Sequence, residues 1–343
     1  MIRKGLYIAL ISLMLPLFGN AQYLWEFGAK AGVSNYLGEM GGMQETQQEW
    51  LLDMKMEQTR WAFGAYARYK ILDKVSAQTE LNYIRIEGAD TLSTNPGRHG
   101  RNLHFRNDMI VLNVRAEYIF YKVHDVGRTG RYILDFNAYA FLGVGFLYGA
   151  PAAQAFADGD GFTKGTYYSL PELKTEGQTN AYAPIAFTMP VGAGFYYTIK
   201  KQHRIGFEFG WTFVTSDYLD DVSTSYADET NMSDIQKHFA NRYGQAGSGT
   251  NTSIAAPAVN YGYSEQAGAS PRGSKGGTPD ENGNTTSTSS DNIFGNDNYV
   301  TAQLSYGFLL KGKYRNRKFQ TTRRGIHGLG NYKRRKRKTR AKF

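Results

Sequence analysis

The chain has 343 residues, with 40 Lys and Arg against 30 Asp and Glu, a formal net charge of +10, and no cysteine. The missing cysteines exclude a disulfide framework and any thiolate metal site. Abundant Tyr (25), Phe (20) and Gly (39), with no long apolar helix after the first residues, point to a β-barrel rather than a helical membrane protein.

The chain opens MIRKGLYIALISLMLPLFGNAQ. Arg3 and Lys4 form a basic start, Gly5 to Phe18 is apolar but for Ser12, and Gly19 and Ala21 are the small residues of a cleavage site. This predicts a secretory signal peptide over 1–21. The apolar run is shorter than the ~20 residues a spanning helix needs. No cysteine follows Ala21, so a lipoprotein anchor is not expected.

Eight segments then alternate with period two, the mark of a strand with two unlike faces. In 22–34, Tyr23, Trp25, Phe27, Ala29, Ala31 and Val33 oppose Glu26, Gly28, Lys30, Gly32 and Ser34. In 60–71, Trp61, Phe63, Ala65, Ala67, Tyr69 and Ile71 oppose Gly64, Tyr66, Arg68 and Lys70. In 75–87, Val75, Ala77, Leu81 and Tyr83 oppose Ser76, Gln78, Glu80 and Asn82; the phase slips at Ile84 and Ile86, which predicts a bulge. In 109–121, Ile110 to Phe120 oppose Asn113, Arg115 and Glu117. Segments 132–148 (with Asp135 inward), 185–199, 205–216 (with Glu208 inward) and 299–310 continue the pattern. Eight strands of this length, apolar outside and polar within, predict a closed antiparallel transmembrane barrel over 22–310. The competing reading is a soluble β-sandwich.

Joints at 72–74, 122–131 and 201–204 are short. Those near 36–59, 88–102, 149–184 and 217–298 are long. Short periplasmic turns and long extracellular loops are the outer-membrane pattern, which would put both termini in the periplasm. Within the last long loop, 244–292 is low-complexity and too poor in apolar residues to pack a core.

An eight-stranded bore is just wide enough for side chains to fill. Glu26, Lys30, Arg68, Glu80, Arg115, Glu117, Asp135 and Glu208 are expected to pair within it as a plug, because an unpaired buried charge costs several kcal/mol. A proton or ion path is the minor reading, and a general porin is not expected.

No catalytic, cofactor or metal residues are expected. His99, His104 and His238 fall in loops or at loop bases, His124 and His203 in short turns, and His327 in the tail. None is predicted mid-strand beside a serine, as a rim lipid hydrolase would need. ADGDGF (157–162) lacks the further ligands of a calcium loop and reads as a turn. Asp217, Asp220 and Asp221 in DYLDD read as a polar loop start rather than a weak cation site.

The tail, Lys311–Phe343, holds 15 of the basic residues and no acid; two more lie in the signal segment, and the 23 that remain face all 30 carboxylates, a net of −7 for the body. Such a tail suggests nucleic acid, but export makes that partner unexpected. Adhesion to anionic lipid is one reading, worth ~1 kcal/mol per cation. The other, which the interleaved apolar residues favour, is docking on a periplasmic protein through Arg315, Arg317, Arg323, Arg324, Tyr332, Arg334, Arg335 and Arg337.

Several blocks together resemble one family. LWEFGAKAGVSNYLGEMGG (24–42), RWAFGAYARYKI (60–71), NYIRIEGAD (82–90), RNLHFRND (101–108), TSDYLDDVSTSY (215–226) and NYVTAQLSYGF (298–308) follow in order. They are similar to PorG-like outer-membrane barrels of the type IX secretion system. The resemblance implies a non-enzymatic secretion component that ties the outer membrane to a periplasmic ring of PorK- and PorN-like proteins, with the translocation pore as a further partner. Outer-membrane lipid, lipopolysaccharide included, would surround it. The 244–292 stretch and the basic tail lie outside the resemblance.

Overall fold

The computed structural model describes residues 25–38, 40, 55–92, 101–124, 126, 134–224, 226–227, 229–242, 245, 272 and 297–310. The signal segment, the basic tail and its eight named residues, His99, His327, and all of 244–292 except Gln245 and Arg272 lie outside them.

The alternating segments form strands, in chain order β1 (Trp25–Leu37), β2 (Arg60–Lys70), β3 (Val75–Ala89), β4 (His104–Val123), β5 (Leu134–Tyr148), β6 (Pro151–Gln154), β7 (Tyr167–Ser169), β8 (Ile185–Ile199), β9 (His203–Val214) and β10 (Asn298–Leu309). The short helices α1 (Leu170–Leu173) and α2 (Asp234–Ala240) lie in the long loops. Eight strands run antiparallel in the order β3-β2-β1-β10-β9-β8-β5-β4, and β3 pairs with β4 to close the cylinder. Closure leaves no barrel edge with unpaired backbone groups. β6 and β7 form a hairpin beyond the rim, where β6 pairs with Arg106 and Asn107 of β4.

The outer wall carries an apolar belt. Leu81, Leu112, Val114, Leu142, Val144 and Leu304 are each about half exposed or more. Aromatic contacts border the belt at both ends: Trp25 with Phe27 and Tyr69, and Phe136 with Tyr197, at the short-turn end; Trp61 with Phe63 and Tyr83, and Phe146 with Phe187, at the other. An apolar band between two aromatic girdles is the architecture of a membrane-spanning barrel. Among the described residues no helix is long and apolar enough to cross a membrane.

The bulge expected in β3 is not there. β3 keeps its phase throughout, and Ile84 and Ile86 point inward at 2% and 0% exposure. What changes is polarity. Beyond the belt the outer face of β3 and β4 carries Arg85, Glu87, Arg106 and Asp108, while Ile84, Ile86, Phe105, Met109 and Val111 fill the interior. Outside lipid the ordinary soluble rule returns, apolar in and polar out. The irregularity lies instead in β4 against β5, where the register shifts between Ile119 and Tyr121.

Strands β1, β2 and β3 begin and end within three residues of their expected bounds, and β4 begins five residues earlier. The turns at 71–74, 124–133 and 200–202 are short, and Trp25 and Leu309 share their end of the barrel. The β8–β9 turn has an unusual composition. Gln202 N–H donates to Ile199 C=O at 3.1 Å, with Lys200 and Lys201 between at φ 51° and 57°. Positive φ at both central positions is a type I′ turn, which favours Asn-Gly. A left-handed lysine costs roughly 1–2 kcal/mol.

Ile86→Ala is expected to lower stability by about 2–4 kcal/mol in chemical unfolding in detergent, as a buried methylene deletion does. Arg85→Ala, on the opposite face, should cost under about 1 kcal/mol. The reverse ranking would mean that the phase does slip.

Candidate functional site

The lumen is filled by charge. β1 gives Glu26 and Lys30, β2 Arg68, β3 Glu80, β4 Arg115 and Glu117, and β9 Arg204 and Glu208, because these fall on the inward phase. Arg68 Nη1 donates to both Glu26 oxygens at 3.0 Å, and its Nε stands 2.7 Å from Glu117 Oε2. Arg115 Nη2 reaches Glu208 Oε2 at 2.6 Å and Glu117 Oε1 at 3.3 Å. Lys30 bridges Glu80 and Glu208, and Arg204 closes on Glu26. Four carboxylates and four cations thus form one connected, neutral layer across the bore.

Neutral groups take up the remaining oxygens. Tyr66 and Tyr139 donate their hydroxyls to Glu26 (2.7 Å) and Glu208 (2.9 Å); Gln78 and Asn113 donate to Glu80, each at 3.1 Å. The Arg68 guanidinium also lies 5.1–5.4 Å from the ring centroids of Tyr66, Tyr139 and Tyr196. Small residues make room: a Cβ on Gly28 would stand 2.5 Å from the Tyr66 ring. Above the layer a recess lined by Glu80, Asn82, Asn113, Tyr299 and Gln303 has room for one or two waters. The layer can tie the wall together across the bore.

Seven of the eight expected lumen charges meet in this layer. Asp135 does not. It sits at the short-turn rim, its side chain 20% exposed, with His124 Nδ1 at 3.4 Å. Its inward phase was right, but β5 starts at Leu134, so only the residues from Asn137 onward reach the buried section. The sequence reading missed Arg204, Tyr139 and Tyr196. Arg204 precedes the segment as read from the sequence, and the two tyrosines share the inward phase of Asn137 and Gly194 but are aromatic where that face is marked by polar and small residues.

A second polar system closes the long-loop end. Asp220, Asp221 and Asp217, expected to be a polar loop start, are at most 6% exposed. Tyr36 OH lies 2.6 Å from Asp220 and 2.5 Å from Asp297; Asp297 in turn accepts Leu219 N–H at 3.0 Å. Asp221, at φ 72°, accepts from Thr175, Tyr182 and Arg272. Arg101 grips Asp90 with two bonds of 2.7 and 2.8 Å and donates to the Arg272 carbonyl. Beneath, Leu219, Val222, Phe239, Leu170 and Phe162 share one apolar core with Ile84, Ile86, Phe105 and Met109 of the barrel. The described parts of the long loops thus form a folded mouth. ADGDGF makes the expected turn, closed by Phe162 N–H on Gly159 C=O at 3.2 Å, and Asp158 accepts Lys164 N–H at 2.8 Å.

His104 and His238 serve this mouth. Gln154 N–H donates to His104 Nε2 at 2.9 Å, and Phe156 N–H to His238 Nε2 at 3.2 Å. Arg242 lies 3.0 Å from His104 Nδ1 and donates to Gln154 C=O at 2.8 Å. Burial, and then the Arg242 charge, push His104 down to about 3 and His238 to about 4. Among the described residues no group of three His, Cys, Asp or Glu is arranged to hold a metal.

No protein-family model and no curated protein matches the sequence. Among solved structures the chain is similar to the crystal structure of Ail, the attachment invasion locus protein of Yersinia pestis, in complex with the heparin analogue sucrose octasulfate. That likeness has a TM-score of 0.29 and 7% identity, and spans 84% of this chain and 99% of that one. The barrel assignment rests on the strand pairing and not on this likeness.

Arg115→Met is expected to destabilise the barrel by about 3–5 kcal/mol, because it removes the guanidinium shared by Glu208, Glu80 and Glu117 and leaves the layer with one excess buried negative charge. Adding Glu208→Gln should recover part of that loss, read from unfolding midpoints in detergent. Acid should loosen the mouth. The two histidines have folded pKa values below the ordinary ~6.5, so the unfolded state binds more protons between about pH 6.5 and 4. Their contribution is full above pH ~6.5 and falls as pH drops through that window. The protection factors of the Gln154 and Phe156 amides, corrected for the intrinsic pH dependence of exchange, should fall accordingly, and His238→Gln should blunt the fall at Phe156.

Proposed function

We propose that this protein is a non-enzymatic outer-membrane component of a protein secretion machine, a PorG-like anchor of the type IX kind. In this reading the belt sits in the outer membrane, the short turns face the periplasm, and both chain ends emerge there. The basic tail and the turns hold periplasmic ring proteins of the PorK and PorN kind, and the translocation pore is a further neighbour. The observation that carries the reading is the neutral charge layer across the bore. A filled lumen suits a barrel whose work lies at its ends and wall. The ordered family-like blocks add to this: RNLHFRND and DYLDD, which carry the resemblance, supply Arg101, Asp217, Asp220 and Asp221 to the folded mouth. A rim hydrolase gains little support from His104 and His238, whose Nε2 atoms accept backbone N–H groups.

Co-purification from native membranes with mass spectrometry is expected to recover periplasmic ring proteins. Deleting Lys311–Phe343 should strip most of them while the barrel stays inserted. The same purified protein should be silent in planar bilayers. Steady single-channel conductance, or an unchanged partner set after the deletion, would refute the corresponding part of the reading.

A further inference from the structure

The turn joining β8 and β9 places two lysines where the backbone resists them. Lys200 and Lys201 both adopt left-handed conformations, at φ 51° and 57°. Asn-Gly would fill the same type I′ turn without that strain. Strain that persists in a fold points to a function for the residues that bear it. Both lysines are exposed, and among the described residues neither has a carboxylate partner. The carboxylate at this rim, Asp135 of β5, stands in register with Thr198 and has His124 Nδ1 at 3.4 Å. Lys74 on the β2–β3 turn and Lys122 near the end of β4 are also exposed, while the exposed Asp73 is taken by Lys70 at 2.7 Å. The turn also adjoins the chain's exit, since Leu309 N–H donates to Gln202 C=O at 2.9 Å. The next residues in sequence begin the basic tail.

We infer that the Lys200–Lys201 turn is a fixed docking point for a carboxylate-bearing face of a folded periplasmic protein, next to the point where the tail leaves the barrel. This deepens the anchor reading and rests on it, because it needs the short turns to face the periplasm. A fluid layer of lipid headgroups sets no fixed counter-charge positions, and cations on any flexible segment would serve it. Two ammonium groups held on a rigid, strained hairpin tip suit a rigid acidic counterpart.

Zero-length carbodiimide coupling joins a lysine amine to a carboxylate in contact with it. Applied to the full chain in native membranes and read by peptide mass spectrometry, it should link Lys200 or Lys201 to an Asp or Glu of another protein. The variant Lys200→Asn with Lys201→Gly supplies the residues the turn favours. It should raise the unfolding midpoint and yet weaken affinity for the linked protein, once purified, by about five-fold, as for two exposed ion pairs. A merely structural turn would show the stability gain with unchanged affinity, which overturns the proposal. No carboxylate link at either lysine, with weaker binding of the variant to phosphatidylglycerol vesicles, would assign the turn to lipid instead. Labelling of Lys200 in intact cells by a membrane-impermeant amine reagent would refute the orientation itself, a failure distinct from loss of docking.

Discussion

Charges in a bore this narrow have almost no water to screen them, so each must meet its opposite within the protein. The lumen of this barrel is organised around that requirement. Glu26, Glu80, Glu117 and Glu208 come from four different strands, and each is contacted by a cation from another strand. Ionic contacts therefore run across the cylinder as well as along it, and they tie together wall segments that are distant in the backbone ladder. The layer is better understood as a device that fixes geometry than as a large source of stability, since burying ions is itself expensive. The tyrosine hydroxyls and the inward glycines follow from it: the first complete the hydrogen bonding, and the second leave space for the rings that do so.

The same two-residue period is used with opposite polarity at two heights. Within the belt, Leu81 and Leu112 face outward and Glu80 and Asn113 inward; further along the same strands, Arg85 and Asp108 face outward and Ile84 and Met109 inward. The solvent on the outside changes, and the sequence changes with it. The boundary is marked by Trp61, whose ring is in contact with Tyr83 and lies 4.9 Å below the Arg85 guanidinium.

That switch also explains what could be read from the sequence and what could not. Barrel strands were legible because each has a clean alternation between unlike environments, and seven lumen charges were legible because they interrupt an apolar rhythm. A polarity inversion looks, in one dimension, like a slip of phase, so Ile84 and Ile86 read as a bulge. The mouth was illegible for a different reason. β6, β7 and α1 are three or four residues long, too short for periodicity, and the burial of Asp220 and Asp221 depends on Tyr36, Thr175 and Arg272, which are far away in sequence. One local signal was available: Ser233 and Gln236 form a reciprocal capping box that announces α2.

The shared apolar core of mouth and upper barrel orders the events of assembly. Phe239 and Leu219 can bury themselves only against Ile86, Met109 and their neighbours, and those surfaces exist only after the strands have closed. If the chain enters the bilayer from the short-turn side, the loop segments cross first and fold second. A completed mouth is then a checkpoint: its protease resistance would report that the wall beneath it has zipped shut, and a barrel stalled halfway would display its loops as unstructured, degradable chain.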